Sequence, residues 1–265
     1  GRDAEHLVAK ANSEQRQVCV QHALNHRHGI DPGGRRIARA STGTVPAAVA
    51  GHSLGEYSAL VAAGVLTLAQ ATPLVRFRAQ AMQDAVPVGT GAMAAILWLG
   101  AQDVVDGCAE ATRSFGAGTA EVVEAVNFND PAQTVIAGSK AAVDKACEVL
   151  KAKGAKRALP LPVSAPFHSS LMKPAAERLQ QKLAETAFAL PQIPVLNNID
   201  VAVETEVERI RDALYRQAFG PVRWVESVRA LKARGIHQII ECGPGKALTG
   251  MVKRIDAELV AAAIN

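Results

Sequence analysis

The stretch AAVAGHSLGEYSALVAAGVL, at residues 47–66, places a short apolar strand directly before an apolar helix. The two segments meet at GHSLG, residues 51–55, a G-x-S-x-G pattern that is typical of a nucleophile elbow. Such a turn requires small neighbours and presents the Ser53 hydroxyl at the N-terminus of the next helix, where the Leu54 N–H would face an oxyanion. A tight turn with a purely structural role is the alternative, so the pattern is a hypothesis of a serine nucleophile.

Composition and length favour a globular protein over a membrane protein. The chain has 265 residues, of which 49% are apolar and 4% aromatic, which suits one large or two modest domains. No apolar stretch reaches the roughly 18 to 20 residues that cross a bilayer, and the N-terminus lacks a signal-peptide pattern. We therefore expect a cytoplasmic protein without membrane association. The four cysteines lack the paired spacing of a zinc site, so we expect no metal.

The N-terminal segment differs from the rest of the chain. Residues 1–43 hold seven Lys and Arg against four Asp and Glu but contain no aromatic residue, which argues against nucleic-acid binding. They show no sustained periodicity of 3.6 or 2, and Pro32 is followed by two further breakers. We interpret residues 1–43 as an atypical, irregular segment.

The remaining chain predicts an α/β fold with two domains. Residues 44–87 and 165–265 alternate helices with short apolar strands, which indicates an α/β-hydrolase-like large domain with a mainly parallel sheet. Residues 88–164 follow the order β-α-β-β-α-β, which indicates an inserted ferredoxin-like small domain. Thr67 and Gln70 form a capping box, which predicts a helix from 68 to about 86.

A serine nucleophile needs a base, and His168 is the best candidate outside the N-terminal segment. It lies where the predicted small domain returns to the large one, and domain junctions form clefts. His52 adjoins the nucleophile and is better placed to line the acyl site, and His237 reads as a structural residue at the start of a strand. No acidic residue has a convincing setting as a third member, so we predict a serine–histidine dyad that a carbonyl oxygen could orient.

Arg78 is a candidate for substrate binding. Leu74, Arg78 and Met82 recur at every fourth position of the predicted helix, which places this arginine on the apolar face, whereas Arg76 projects elsewhere. A charge on a packed face needs a partner. That partner is either an internal carboxylate or, in a cleft, the carboxylate of a substrate, which an arginine can grip with two hydrogen bonds.

Several motifs together resemble the malonyl-CoA:acyl-carrier-protein transacylase family of bacterial fatty-acid synthesis and, more distantly, the acyltransferase domains of polyketide synthases. The resemblance runs over roughly 220 residues from residue 45. It is carried by an arginine 25 residues after the serine and by GHSLGEYSAL, GTGAMAAIL, VNFNDPAQTVIAG, AKRALPLPVSAPFHSSLMKPA, PVLNNID, YRQAFGPVRW and ECGPGKALTGMVKRI.

The resemblance implies malonyl transfer from malonyl-CoA to holo acyl carrier protein by a ping-pong route, without a cofactor or metal and in a monomer. Ser53 would carry the malonyl group, and His168 would act as base and then acid. Gln217 would orient His168 through its backbone carbonyl, and the Leu54 N–H would be one oxyanion donor.

The resemblance also implies the substrate-binding residues. Arg78 would grip the free malonyl carboxylate, His52 would line the acyl site, and Asn127 would lie near the acyl pocket. The bulk of Phe167 would exclude an α-methyl branch, although excluding one methyl is worth only about 1 to 3 kcal/mol.

A basic cluster lies near the predicted domain junction. Its members could dock an acidic carrier protein or could be an ordinary solvated face, and we favour the second interpretation. They are Lys151, Lys153, Lys156 and Arg157.

The N-terminus departs from the family, which begins with an apolar strand and a PGQGSQ turn that supplies the second oxyanion donor. Nothing in residues 1–43 resembles that strand or that turn. We hypothesise an N-terminally incomplete sequence, with these residues divergent or read from a shifted frame. Two other functions stay open: a serine esterase or thioesterase, which Arg78 disfavours, and a catalytically impaired module that binds carrier protein.

Overall fold

A computed structural model of the chain describes residues 17–22, 45–163, 165–243 and 245–264. These residues form two β-sheets that are packed against helices. The predicted α/β class, with a parallel sheet and a second sheet of βαββαβ order, is confirmed.

The first sheet contains five parallel strands. Their order across the sheet is β7 (Val195–Leu196), β2 (Ala48–His52), β1 (Gln17–His22), β8 (Gln238–Cys242) and β9 (Val260–Ile264). Apolar clusters cover both faces: Val49 of β2 belongs to one cluster, and its neighbours Ala48 and Ala50 belong to the other. This alternation buries β2 from both sides, as a parallel sheet requires.

Strand β1 corrects the interpretation of residues 1–43 as irregular. Residues 18–22 pair with 48–52 of β2, and residues 17–21 pair with 238–242 of β8, so β1 is the central strand. Its apolar run is only Val18-Cys19-Val20 between polar residues, too short to show periodicity in the sequence. The other residues of this N-terminal segment lie outside the described residues, so the expected absence of a PGQGSQ turn stays a prediction.

The second sheet is antiparallel and contains four strands. Their order is β4 (Val123–Asp130), β5 (Gln133–Ser139), β3 (Gly91–Leu97) and β6 (Arg157–Pro160). Helices α3 (Ala101–Arg113) and α4 (Lys140–Ala152) complete the predicted β-α-β-β-α-β order. The division into domains at 44–87, 88–164 and 165–265 stays a prediction.

Six more helices pack around the parallel sheet in the described part of the chain. They are α1 (Gly55–Ala62), α2 (Leu68–Gln83), α5 (Lys173–Glu185), α6 (Val207–Gln217), α7 (Trp224–Ala233) and α8 (Ala247–Ile255). The predicted capping box is present at the start of α2, where the Thr67 N–H donates to Gln70 Oε1 at 2.8 Å and Thr67 Oγ1 accepts from the Gln70 N–H at 3.3 Å. None of the described helices is long and apolar enough to span a membrane.

Candidate active site

The turn between β2 and α1 has the backbone of a nucleophile elbow. Ser53 adopts a φ of 53°, a left-handed conformation that is uncommon for a residue with a side chain. Gly51 is required beside it, because a Cβ there would lie 1.9 Å from the carbonyl carbon of Gly55. Leu54 occupies the N-cap position of α1, so its backbone lies at the positive end of that helix.

His168 contacts the Ser53 hydroxyl across 115 positions of sequence. Its Nε2 lies 2.7 Å from Ser53 Oγ, and its Nδ1 lies 2.9 Å from the backbone carbonyl oxygen of Gln217. Because a carbonyl oxygen can only accept, Nδ1 carries the proton and Nε2 is left as the acceptor for the hydroxyl. The arrangement fixes the tautomer that a general base needs.

The surroundings of His168 keep its imidazole neutral. Burial of the ring and, next, the positive charge of Arg78 lower the pKa of His168 to about 3. A neutral imidazole whose Nε2 faces a hydroxyl can accept the proton of that hydroxyl at physiological pH.

Arg78 lies on the buried face of α2, as predicted, and 6% of it is exposed, whereas Arg76 is exposed. Its Nη2 donates to Ser53 Oγ at 3.2 Å and to Gln217 Oε1 at 3.1 Å. Its guanidinium carbon lies 5.6 Å from the centre of the Tyr57 ring. Within the described residues no ion pair joins Arg78 to a carboxylate, so the alternative of an internal salt bridge is without support.

A cleft of about 240 Å³ opens in front of these groups and takes its walls from both sheets. His52, Leu54, Asn127 and Phe167 all line it, so the structure brings every predicted substrate-binding residue to one place. In contrast, His237 is exposed just before β8 and lies outside the cleft.

Two of the wall residues have polar groups at the cleft. His52 Nε2 lies 2.9 Å from Asn129 Oδ1, and its ring meets the Trp224 ring edge-on at a centroid distance of 5.7 Å. Asn127 lies on β4, and its buried Oδ1 has no hydrogen-bond partner among the described residues.

Asn198 is a site residue that the sequence analysis did not assign. Its Oδ1 accepts from the Ser53 N–H at 2.7 Å, and its Nδ2 donates to the Gly51 carbonyl oxygen at 2.6 Å. One side-chain amide is therefore hydrogen-bonded to the backbone of two residues of the elbow. The available signal was the polar Asn197-Asn198 pair directly after the apolar run of β7.

Glu56 is a second residue that was missed. Only 2% of it is exposed, and its Oε2 accepts from the Asn198 N–H at 3.0 Å and from Gln217 Nε2 at 2.8 Å. Burial raises the pKa of this carboxyl to about 7, although its hydrogen bonds to Gln217 and Asn198 act in the opposite direction. A charged residue inside the apolar run after the elbow was the signal.

The assembled groups support nucleophilic acyl transfer. A hydroxyl in contact with a neutral base, at a helix N-terminus and beside a buried cation, can attack a carbonyl carbon and form an acyl-enzyme. Among the residues that the structure describes, no group of three or more His, Cys, Asp or Glu side chains is placed to hold a metal ion.

Known proteins share this sequence and fold. The acyl transferase domain family matches residues 38–258. A malonyl CoA-acyl carrier protein transacylase of Escherichia coli (strain K12) is 52% identical over 230 residues, which are 87% of this chain and 72% of that protein.

Two solved structures of malonyl-transferring proteins have folds similar to that of this chain. An acyl-carrier-protein S-malonyltransferase from Burkholderia pseudomallei 1710b has a TM-score of 0.84 and 58% identity, with 88% of this chain and 74% of that chain covered. A malonyl-transacylase in complex with a type II PKS acyl-carrier protein has a TM-score of 0.83 and 49% identity, with coverages of 88% and 73%. The chain is an acyltransferase that belongs to the acyl transferase family and, within it, to the malonyl CoA-acyl carrier protein transacylases.

Proposed function

We propose that this chain transfers a malonyl group from malonyl-CoA to the phosphopantetheine thiol of acyl carrier protein through an ester on Ser53, in fatty-acid biosynthesis. The observation that carries the proposal is the convergence of two groups on one hydroxyl. His168 Nε2 lies 2.7 Å from Ser53 Oγ, and Arg78 Nη2 lies 3.2 Å from the same atom. A base and a carboxylate-binding cation therefore meet at the nucleophile.

In the first half-reaction Ser53 Oγ attacks the thioester carbonyl carbon while its proton passes to His168 Nε2. The carbonyl oxygen becomes an oxyanion, which the Leu54 N–H at the start of α1 stabilises. When the C–S bond breaks, the coenzyme A sulfur takes the proton from His168. Gln217 holds the imidazole in place during both transfers, because its carbonyl oxygen accepts from Nδ1.

In the second half-reaction the carrier thiol gives its proton to His168, and its sulfur attacks the ester carbonyl carbon. Collapse of the oxyanion breaks the C–Oγ bond, and Ser53 recovers its proton from the imidazole. One thioester is exchanged for another, and nothing is oxidised or reduced, so the proposed reaction uses no cofactor. Two thiol substrates occupy one site in turn, which predicts ping-pong kinetics.

Selection of the malonyl group is assigned to the walls of the cleft. Arg78 is buried and can offer its planar fork to the free carboxylate, where the low dielectric strengthens the contact. Phe167 narrows the space beside the acyl chain, and His52 and Asn127 bound it from opposite sheets.

The carrier protein is the proposed partner, as in the structural neighbour that was solved with one. The basic cluster of the sequence analysis is partly engaged within the chain: Lys153 pairs with Glu110 at 2.9 Å, and Lys156 Nζ lies 5.1 Å from the centre of the Trp98 ring. Lys151 and Arg157 are exposed. These contacts support a solvated charged face, and carrier docking there stays the second interpretation.

One labelling experiment tests the function. The protein is incubated with labelled malonyl-CoA, the reaction is quenched, and the mass of the peptide that contains Ser53 is measured by mass spectrometry. We expect label on Ser53 that then passes to holo acyl carrier protein, and no label on a Ser53→Ala variant. Loss of the label to water at a rate independent of carrier protein would identify a hydrolase. Absence of label with retained carrier binding would identify an impaired binding module.

A further inference from the structure

The side chain of Gln217 links two charged groups that do not touch each other through an ion pair. Its Oε1 accepts from Arg78 Nη2 at 3.1 Å, and its Nε2 donates to Glu56 Oε2 at 2.8 Å and to the Ser53 carbonyl oxygen at 3.2 Å. These contacts are separate from the backbone carbonyl that orients His168. All three linked side chains are buried, with exposed fractions of 2% for Glu56, 6% for Arg78 and 0% for Gln217.

This hydrogen-bond pattern permits one orientation of the Gln217 amide. If the amide turned over, its NH₂ group would face the donors of Arg78, and its oxygen would face the carboxylate of Glu56 and the carbonyl of Ser53. Donors would then face donors and acceptors would face acceptors. Because these groups are buried, no water could supply the lost hydrogen bonds. Glu56 therefore fixes which end of the amide Arg78 meets.

The position of the guanidinium depends on that amide oxygen. Arginine has a long, flexible side chain, and its fork recognises a carboxylate only in a defined plane. In this cleft, Nη2 is held between Gln217 Oε1 and Ser53 Oγ, and Nε has no hydrogen-bond partner among the described residues. Loss of the Gln217 contact would let the guanidinium move away from the plane in which a substrate carboxylate is held.

We propose that Glu56 is a positioning residue that acts through the side-chain amide of Gln217 to hold Arg78 for acyl groups with a free carboxylate. The proposal rests on malonyl transfer as the proposed function. Its distinguishing consequence is selectivity: damage to this relay weakens malonyl transfer more than transfer of an acyl group without a carboxylate. A general disturbance of the elbow or of His168 would weaken both transfers equally.

The test compares kcat/KM for malonyl-CoA and acetyl-CoA in three single variants. Gln217→Met and Glu56→Leu break the relay at its two members, and Gln217→Met keeps the backbone carbonyl that holds His168. We expect the malonyl-to-acetyl ratio to fall roughly 10- to 100-fold in both, the range for loss of a hydrogen bond to a charged group. Glu56→Gln retains an oxygen that can accept both hydrogen bonds, so its ratio should stay within about threefold of the wild type.

The double variant and a control complete the test. If Glu56 acts through Gln217, the Glu56→Leu/Gln217→Met pair loses no more selectivity than the more damaged single variant. Gln80→Met, at an exposed position of α2, should leave the ratio unchanged. If Glu56→Leu does not fold, a wild-type ratio in Gln217→Met still overturns the proposal, because Glu56 is proposed to act on Arg78 only through that amide.

Three results would overturn the relay: a wild-type ratio in Gln217→Met, additive losses in the double variant, or a Glu56→Gln variant as damaged as Glu56→Leu. A wild-type protein that never forms malonyl-Ser53 would instead refute the proposed function, and the relay's role with it.

Discussion

His168 Nε2 lies 2.7 Å from Ser53 Oγ although 115 positions separate the two residues, and both have left-handed backbones, with φ of 67° and 53°. Such conformations cost free energy for residues with side chains, and they persist where the surrounding structure holds them. Here the glycine at position 51 and the amide of Asn198 hold the serine, and the Gln217 carbonyl holds the histidine. The two strained backbones therefore belong to the two residues whose side chains meet at the candidate nucleophile.

The pH dependence of Ser53 malonylation follows from that environment. Burial and the charge of Arg78 lower the pKa of His168 to about 3, so the base stays unprotonated well below the usual range of a histidine. We expect the single-turnover rate with malonyl-CoA to show no inflection that arises from His168 between pH 5 and 8. His168→Ala should reduce the rate by roughly 10²- to 10⁴-fold throughout.

The control for this profile is Glu56→Gln, since the pKa of Glu56 is raised to about 7 and lies in the same range. An inflection near pH 6.5 that persists in this variant would belong to His168 and would contradict the neutral, buried base.

The proposed carboxylate-binding role of Arg78 has a matched control two positions away on the same helix. Arg78→Ala removes the buried cation, so we expect kcat/KM for malonyl-CoA to fall by roughly 10²-fold or more, with little loss for acetyl-CoA. Arg76→Ala removes an exposed cation and should leave both values unchanged. An Arg78→Ala variant that still prefers malonyl over acetyl would refute the role.

Local sequence patterns predicted most of the fold. The apolar run before GHSLG, the Thr67–Gln70 capping box and the β-α-β-β-α-β order each depend on residues close together in the chain, and all are present. Strand β1 was missed because its position at the centre of the sheet comes from pairing with β2 and β8, which lie about 30 and 220 residues further along. Helix α8 and strand β9 were also not predicted.

The residues of the candidate site also fall into those that local patterns predict and those that depend on distant partners. Ser53 and Arg78 could be found from an elbow pattern and a helical face, and His168 from its place at a predicted junction. Asn198 and Glu56 could not, because their roles consist of hydrogen bonds to partners 145 and 161 positions away. A buried polar residue signals that it needs a partner, but the sequence does not say which one.

Gly51 should tolerate no side chain. An added Cβ would lie 1.9 Å from the Gly55 carbonyl carbon, and neither backbone segment can move without displacing Ser53. We expect Gly51→Ala to lower the free energy of unfolding by more than about 3 kcal/mol, or to abolish Ser53 malonylation where the protein still folds.

Gly100→Ala is the matched control for that substitution. Gly100 has a φ of −61°, and its added Cβ would lie 3.1 Å from a side-chain oxygen of Asp103, which can rotate away. Its unfolding free energy in urea should change by less than about 1 kcal/mol. Equal behaviour of the two variants would show that the elbow is not tightly packed.

Phe167 should limit the size of the acyl group. It lines the cleft beside Met82 and Met93, so Phe167→Ala would open space for an α-methyl branch. We expect kcat/KM for methylmalonyl-CoA relative to malonyl-CoA to rise by roughly 10- to 100-fold, the value of one methyl group in an apolar pocket. The malonyl-to-acetyl ratio is the internal control, because it depends on Arg78. An unchanged methylmalonyl ratio would place the size limit elsewhere in the cleft.

The buried carboxyl of Glu56 should make stability depend on pH in a direction opposite to that of most acidic residues. Its pKa is raised from 4.5 to about 7 by burial, so the folded state binds a proton that the unfolded state has released between these values. The stabilisation is therefore fully present below about pH 4.5 and is lost as the pH rises through 7.

Glu56→Gln cannot titrate, so subtracting its unfolding free energy from that of the wild type isolates this group. We expect the difference to favour the wild type by about 2 kcal/mol more at pH 5 than at pH 8, measured by urea unfolding. A difference that is constant with pH, or that grows as the pH rises, would show that Glu56 stays ionised in the folded protein.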